Sequence, residues 1–88
     1  MASKLSVYPS IGITTGWQRL TTTSQTTSGQ TTVVNVSAAV YMNSAASATG
    51  QTYLAGGNVY EFPGVDPSTL YFSQVSAGAV VGGYNIVD

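Results

Sequence analysis

No window of about 11 residues in this chain sets apolar side chains at helical spacing without a glycine, a proline or a run of β-branched residues interrupting it. An amphipathic helix therefore has nowhere to form. Strand formers dominate instead, and turn residues break them every ~8–12 positions, the spacing of an all-β domain. The expectation is a small single-domain β-sandwich or barrel of about seven to eight short strands, spanning 1–88 with no second domain.

What such a domain can do is narrowed by its side chains. The charged residues are Lys4, Arg19, Glu61, Asp66 and Asp88, 6% of the chain, against about 25% in an ordinary soluble domain. Cysteine and histidine are absent. No thiolate can hold zinc, no disulfide can staple the fold, and no imidazole can activate one of the many hydroxyls. Two basic residues neutralise too few phosphates for nucleic-acid binding by charge. The expectation is a protein that is not an enzyme and has no cofactor, no metal and no small-molecule substrate.

Twelve threonines and eleven serines must cover much of the surface in place of charge. A formal net charge of −1 offers little repulsion between copies. Interface cores are poor in charge and rich in aromatics, and the chain has six tyrosines, one tryptophan and two phenylalanines. Both features suit a protein that works inside an assembly. A neutral extracellular domain kept soluble by hydroxyls is the other reading. The longest apolar runs, such as 77–83, fall far short of the ~20 residues a membrane helix requires. No apolar segment follows Lys4 as a secretory signal would need. Synthesis in a cytoplasm, with no membrane partner, is expected.

Along the chain, Leu5 and Val7 alternate onto one face before Pro9-Ser10 breaks the strand. Residues 1–20 collect Lys4, Leu5, Val7, Tyr8, Ile11, Ile13, Trp17, Arg19 and Leu20 around Pro9, Gly12 and Gly16. This stretch reads as an extended N-terminal arm that could lie along a neighbouring chain, with an ordinary first core strand as the competing reading. The Thr/Ser-rich segment 21–32 reads as a loop with its tip at Ser28-Gly29 and β structure at its ends, and 33–88 as the β core. Apolar residues at Val34, Val36, Val40 and Met42 share a face, as do Tyr60 and Phe62 against Val59 and Glu61. Turns are expected at 55–58 and Pro63-Gly64, and at Asp66-Pro67-Ser68-Thr69 an aspartate-capped helical turn. Gly82-Gly83 in the last strand reads as a bulge.

Glu61 and Asp66 are the nearest carboxylates in sequence. They could share acid–base work or calcium, but a cap explains Asp66 and a strand position explains Glu61. The aromatics Trp17, Tyr41, Tyr53, Tyr60, Tyr71, Phe72 and Tyr84 could stack on a sugar or serve as core and interface anchors.

Residues 33–87 carry a recognisable order. Val33-Val34-Asn35-Val36-Ser37 is followed by Val40-Tyr41-Met42-Asn43 and then by Gln51-Thr52-Tyr53-Leu54-Ala55-Gly56-Gly57. Glu61-Phe62-Pro63, Asp66-Pro67-Ser68-Thr69-Leu70-Tyr71-Phe72 and Ser76-Ala77-Gly78 precede a valine-rich final strand. This order resembles the small all-β virion proteins of tailed bacteriophages. The resemblance implies a structural protein of the capsid exterior: a decoration or cement protein, a head fibre or a tail module. It implies the major capsid protein and copies of the chain itself as partners. The partner-binding candidates are Lys4, Tyr8, Ile11, Ile13, Trp17 and Arg19. A receptor- or glycan-binding module of a head fibre or tail is the alternative.

Overall fold

The computed structural model describes residues 4–87. Among them it has eight strands and one short 3-10 turn at Pro67–Thr69. The strands are β1 (Lys4–Gly12), β2 (Gln18–Arg19), β3 (Gln30–Val36), β4 (Val40–Asn43), β5 (Thr52–Leu54), β6 (Asn58–Pro63), β7 (Tyr71–Gln74) and β8 (Val80–Val87). They form two four-stranded sheets, sheet A in the order β1-β8-β3-β6 and sheet B in the order β2-β7-β4-β5. Every pairing is antiparallel. The fold is a sandwich with open edges; no closed barrel forms. Only β4 and β5 are neighbours both in sequence and in a sheet; the other successive strands change sheet.

Alternation decides what lies between the sheets. Side chains of period two put Val34 and Val36 of β3 and Val81 of β8 inward from sheet A. Val40, Leu54 and Phe72 meet them from sheet B, and Ile13, Leu20, Leu70 and Ala79 close the ends from the connections. Phe72 is fully buried, and burying a side chain of this class contributes about 1.5–3 kcal/mol. Tyr8, Ile11, Met42, Tyr60 and Phe62 pack on the margins of this core.

One end of the interior is polar. Gln30, Thr32 and Asn85 are buried. The Asn85 amide donates to the Thr32 hydroxyl at 2.9 Å, and that hydroxyl donates to the Val65 carbonyl at 2.8 Å. Asn85 Oδ1 and Gln30 Oε1 have no protein partner.

Three expectations are corrected here. The N-terminal arm is instead, over Lys4–Gly12, an edge strand paired with β8 from Lys4–Val87 to Gly12–Val80; residues 1–3 lie outside the described residues. The break expected from Pro9 is a bulge: the register runs to Tyr8–Gly83 and resumes at Ile11–Val81, so one extra residue is taken up there. Proline fits an edge strand because no ladder donor is lost to a neighbour. The third is the Gly82-Gly83 bulge, which does not form. The Thr/Ser-rich segment has β structure at its end as expected, with β3 beginning at Gln30 and Thr32 fully buried. Its tip is where expected, with Gly29 at φ 78.

Gly82-Gly83 is no bulge in its own strand. β8 runs in unbroken register with β3 through Val34–Gly83 and Asn35–Gly82. The glycines serve close approach: a Cβ at Gly83 would overlap the Val33 carbonyl and come within 3.1 Å of Leu20 Cδ1. A Cβ at Gly82 would lie 2.8 Å from Ser10 Oγ.

Candidate functional site

The sandwich divides the expected partner-binding residues among separate places. Ile13 is 3% exposed and belongs to the core, and its amide donates to the Ala79 carbonyl at 2.9 Å. Ile11 packs against the same core. Ile13 therefore has no surface left for a partner, whereas Ile11 is half-buried at the margin of the core. Tyr8 is half-buried, and its hydroxyl donates to Gln25 Oε1 at 3.1 Å. Burial, and to a lesser degree the charge of Asp66, raise its pKa. Trp17 is half-buried between Gly16 and β2. The Arg19 guanidinium lies 4.9 Å from the centre of the Tyr71 ring and donates to the Ser68 carbonyl at 3.1 Å, so it is already engaged within its own chain. Lys4 is exposed at the start of β1. These six residues make no common surface.

Asp66 is a structural carboxylate. Its Oδ1 accepts from the Ser68 amide and hydroxyl at 3.0 and 2.9 Å and from the Gln25 amide at 3.0 Å. Its Oδ2 accepts from the Ser24 hydroxyl at 2.6 Å. Burial would raise the Asp66 pKa, but these hydrogen bonds to the charged form outweigh it and hold the pKa at about 2. One side chain thus caps the 3-10 turn and anchors the loop before β3. Among the described residues, no group of three metal-ligating side chains comes together, and no helix is long and apolar enough to cross a membrane.

The surfaces that remain are the two outer sheet faces. On sheet B, Tyr53, Tyr41 and Ser73 form one cross-strand row, and Asn43, Tyr71 and Arg19 the next. Tyr41 and Tyr53 meet edge to face, ring centres 6.2 Å apart. Asn43 is used internally, its amide donating to the carbonyls of Ser47 and Thr49. The seven aromatics do not form one platform: Phe72 is core, Tyr60 faces inward and donates to the Ala55 carbonyl, and Tyr84 lies on the other sheet.

The outer face of sheet A is apolar. Val7, Tyr84, Val33 and Glu61 make one row across the four strands, and Leu5, Ile86, Thr31 and Pro63 the next. Val59 and Val80 extend it at the opposite end. Val7 is 70% exposed, Leu5 57% and Val59 64%. Val33, in the middle, is buried without belonging to the core cluster, so its neighbours on this face shelter it. Glu61 is the one charged side chain in these rows. Sequence reading caught the alternation of Leu5 with Val7 but missed this face, because the strands that build it lie far apart in the chain.

No family model, no curated protein and no solved structure matches this chain.

Proposed function

We propose that this chain is a non-enzymatic structural protein of a virion. It binds the outside of a bacteriophage capsid as a decoration or cement protein, with the major capsid protein as its principal partner. The observation that carries this reading is the outer face of sheet A, where Leu5, Val7, Val59, Val80 and Tyr84 are exposed around a single carboxylate. Such a face matches the apolar, charge-poor centre of a protein interface. The order of motifs through 33–87 supports a virion setting. The mechanism is binding energy alone: a protein that binds only the assembled shell stabilises that shell by mass action. The test is to locate the chain on purified particles by mass spectrometry and electron microscopy and to titrate Val59→Lys/Val80→Lys against empty shells. Loss of shell binding by a folded double variant is expected. Undiminished binding, or a location inside the particle, would overturn the reading.

A receptor- or glycan-binding module of a fibre or tail rests on a different surface. The exposed Tyr53 beside Tyr41, with Tyr71 and Arg19 in the next row, presents ring faces of the kind on which sugars stack. Glycan-array binding lost in Tyr53→Ala would favour it over the capsid reading.

A further inference from the structure

The edges of the two sheets are unequal. In sheet B they are β2, with two residues, and β5, with three. In sheet A, β6 carries Glu61 within it and ends at Pro63. Charge, proline and short length are the devices that keep a sheet edge from pairing with another chain. The remaining edge, β1, is nine residues long, and its proline and bulge, Pro9 and the register shift before Ile11, protect only the half after Tyr8. Its first part, Lys4–Tyr8, is in regular register with β8 before the bulge, and no strand of the described residues lies on its other side. It holds apolar Leu5 and Val7 and a single charge at its end. We propose that two copies of this chain pair through Lys4–Tyr8, antiparallel about a twofold axis at Ser6, to make one continuous sheet.

The exposed apolar pair Leu5 and Val7, placed symmetrically about Ser6, favours a second copy as the occupant. A twofold axis perpendicular to the sheet keeps outer face joined to outer face. Residues facing each other across the seam must then have the same parity, because successive side chains alternate between faces. An axis at Ser6 satisfies this and pairs the whole segment: Lys4 with Tyr8, Leu5 with Val7, and Ser6 with Ser6 of the second copy. Among the described residues, an axis at Leu5 or Val7 leaves part of the segment unpaired. The Ser6 register sets Leu5 against Val7 twice, both on the outer face, Leu5 beside Ile86 and Val7 beside Tyr84, and apolar pairs directly opposite stabilise an antiparallel seam. The two Lys4 side chains fall at opposite ends of the seam, each across from a tyrosine. A net charge of −1 adds little repulsion. The interface is isologous and closed, as a twofold requires. A seam of this length buries much less than the ~800 Å² per partner of a stable complex, so pairing is concentration-dependent in free solution.

The chain contains no cysteine, which makes crosslinking a clean test. Full-length Ser6→Cys is expected to form a disulfide dimer under mild oxidation, while Ser28→Cys at the loop tip stays monomeric. Copies carrying Leu5→Cys mixed with copies carrying Val7→Cys are expected to crosslink to each other more than to themselves. Diagonal positions exceed the ~7 Å Cα separation a disulfide tolerates. In sedimentation velocity, Leu5→Lys/Val7→Lys should weaken dimerisation at least tenfold. Mixing it with Leu5→Glu/Val7→Glu should restore a dimer. Both positions are exposed, so folding is kept and circular dichroism checks it. A wild-type chain that stays monomeric to millimolar concentration, or equal crosslinking of Ser6→Cys and Ser28→Cys, overturns the proposal. Crosslinking of Ser6→Cys only to a different virion protein assigns the edge to that protein and also overturns it. Sedimentation and crosslinking of the purified chain involve no capsid; only the crosslink to another virion protein is sought on particles. A dimer that ignores shells therefore refutes only the decoration reading, and a monomer that binds them refutes only the pairing.

Discussion

The amide of Asn85 donates to the hydroxyl of Thr32 at 2.9 Å, joining β8 to β3 inside the sandwich across 53 positions of sequence. The Thr32 hydroxyl passes the chain on to the Val65 carbonyl. Removing that hydroxyl leaves a buried donor unpaired at one end and strips the carbonyl of its side-chain partner at the other. Thr32→Val is therefore expected to cost ~1–3 kcal/mol, and Thr32→Ser distinctly less. Urea unfolding should show a lowered midpoint with an unchanged slope. A Thr32→Val midpoint equal to wild type would show that the relay contributes nothing.

Gln30 makes the opposite case. Its side-chain oxygen is buried with no protein partner, and an unpaired buried acceptor is a standing cost. Gln30→Met keeps the volume and removes the orphan atom, so stability should hold or rise. A loss of more than about 1 kcal/mol in the same unfolding experiment would mean that an ordered water satisfies this oxygen.

Asp66 predicts an acid transition. Its folded pKa of about 2 lies below the ordinary carboxylate value of 3.8. A depressed pKa stabilises the fold fully above the unfolded value, and that contribution is lost as pH falls through the folded one. Asp66→Asn should melt below wild type at pH 6, and the gap should narrow between pH ~4 and ~2. Asp66→Ala should cost ~0.5–2 kcal/mol near neutrality, the usual range for a lost cap. A gap between wild type and Asp66→Asn that does not change with pH would contradict the carboxylate's role.

Two glycines in paired strands should respond in opposite ways. Gly83→Ala forces a Cβ against the Val33 carbonyl and Leu20 and is expected to destabilise by ~1–3 kcal/mol, as overpacking does. Gly12→Ala meets nothing within 4 Å and sits at no positive φ. It should be neutral or stabilising by up to ~1 kcal/mol, because it narrows the unfolded ensemble. Thermal melts of the two variants side by side decide this, and equal effects would refute the close-approach account.

The sequence by itself determined what depends on a few adjacent residues. With no helical spacing and a turn residue every few positions, the chain had to be all-β. Alternation set Val34, Val36 and Val40 on one face, and Tyr60 and Phe62 on the face opposite Val59 and Glu61; which of those two faces turned inward was left to the packing of the sheets. The Ser28-Gly29 tip and the Asp66 cap followed from local backbone chemistry. Tertiary structure decided what depends on partners distant in the chain. The Lys4–Gly12 segment became an edge strand because β8 ends beside it. Gly82-Gly83 became a close-approach site because β3 and Ser10 of β1 crowd it. The outer face of sheet A, the most exposed apolar surface, took shape only when β1, β8, β3 and β6 came together. The physical reason is that alternation specifies which side chains share a face, whereas the hydrogen-bonding edge of a strand is the same backbone whatever its partner. A local pattern can therefore announce a strand and its faces without naming the strand it pairs with.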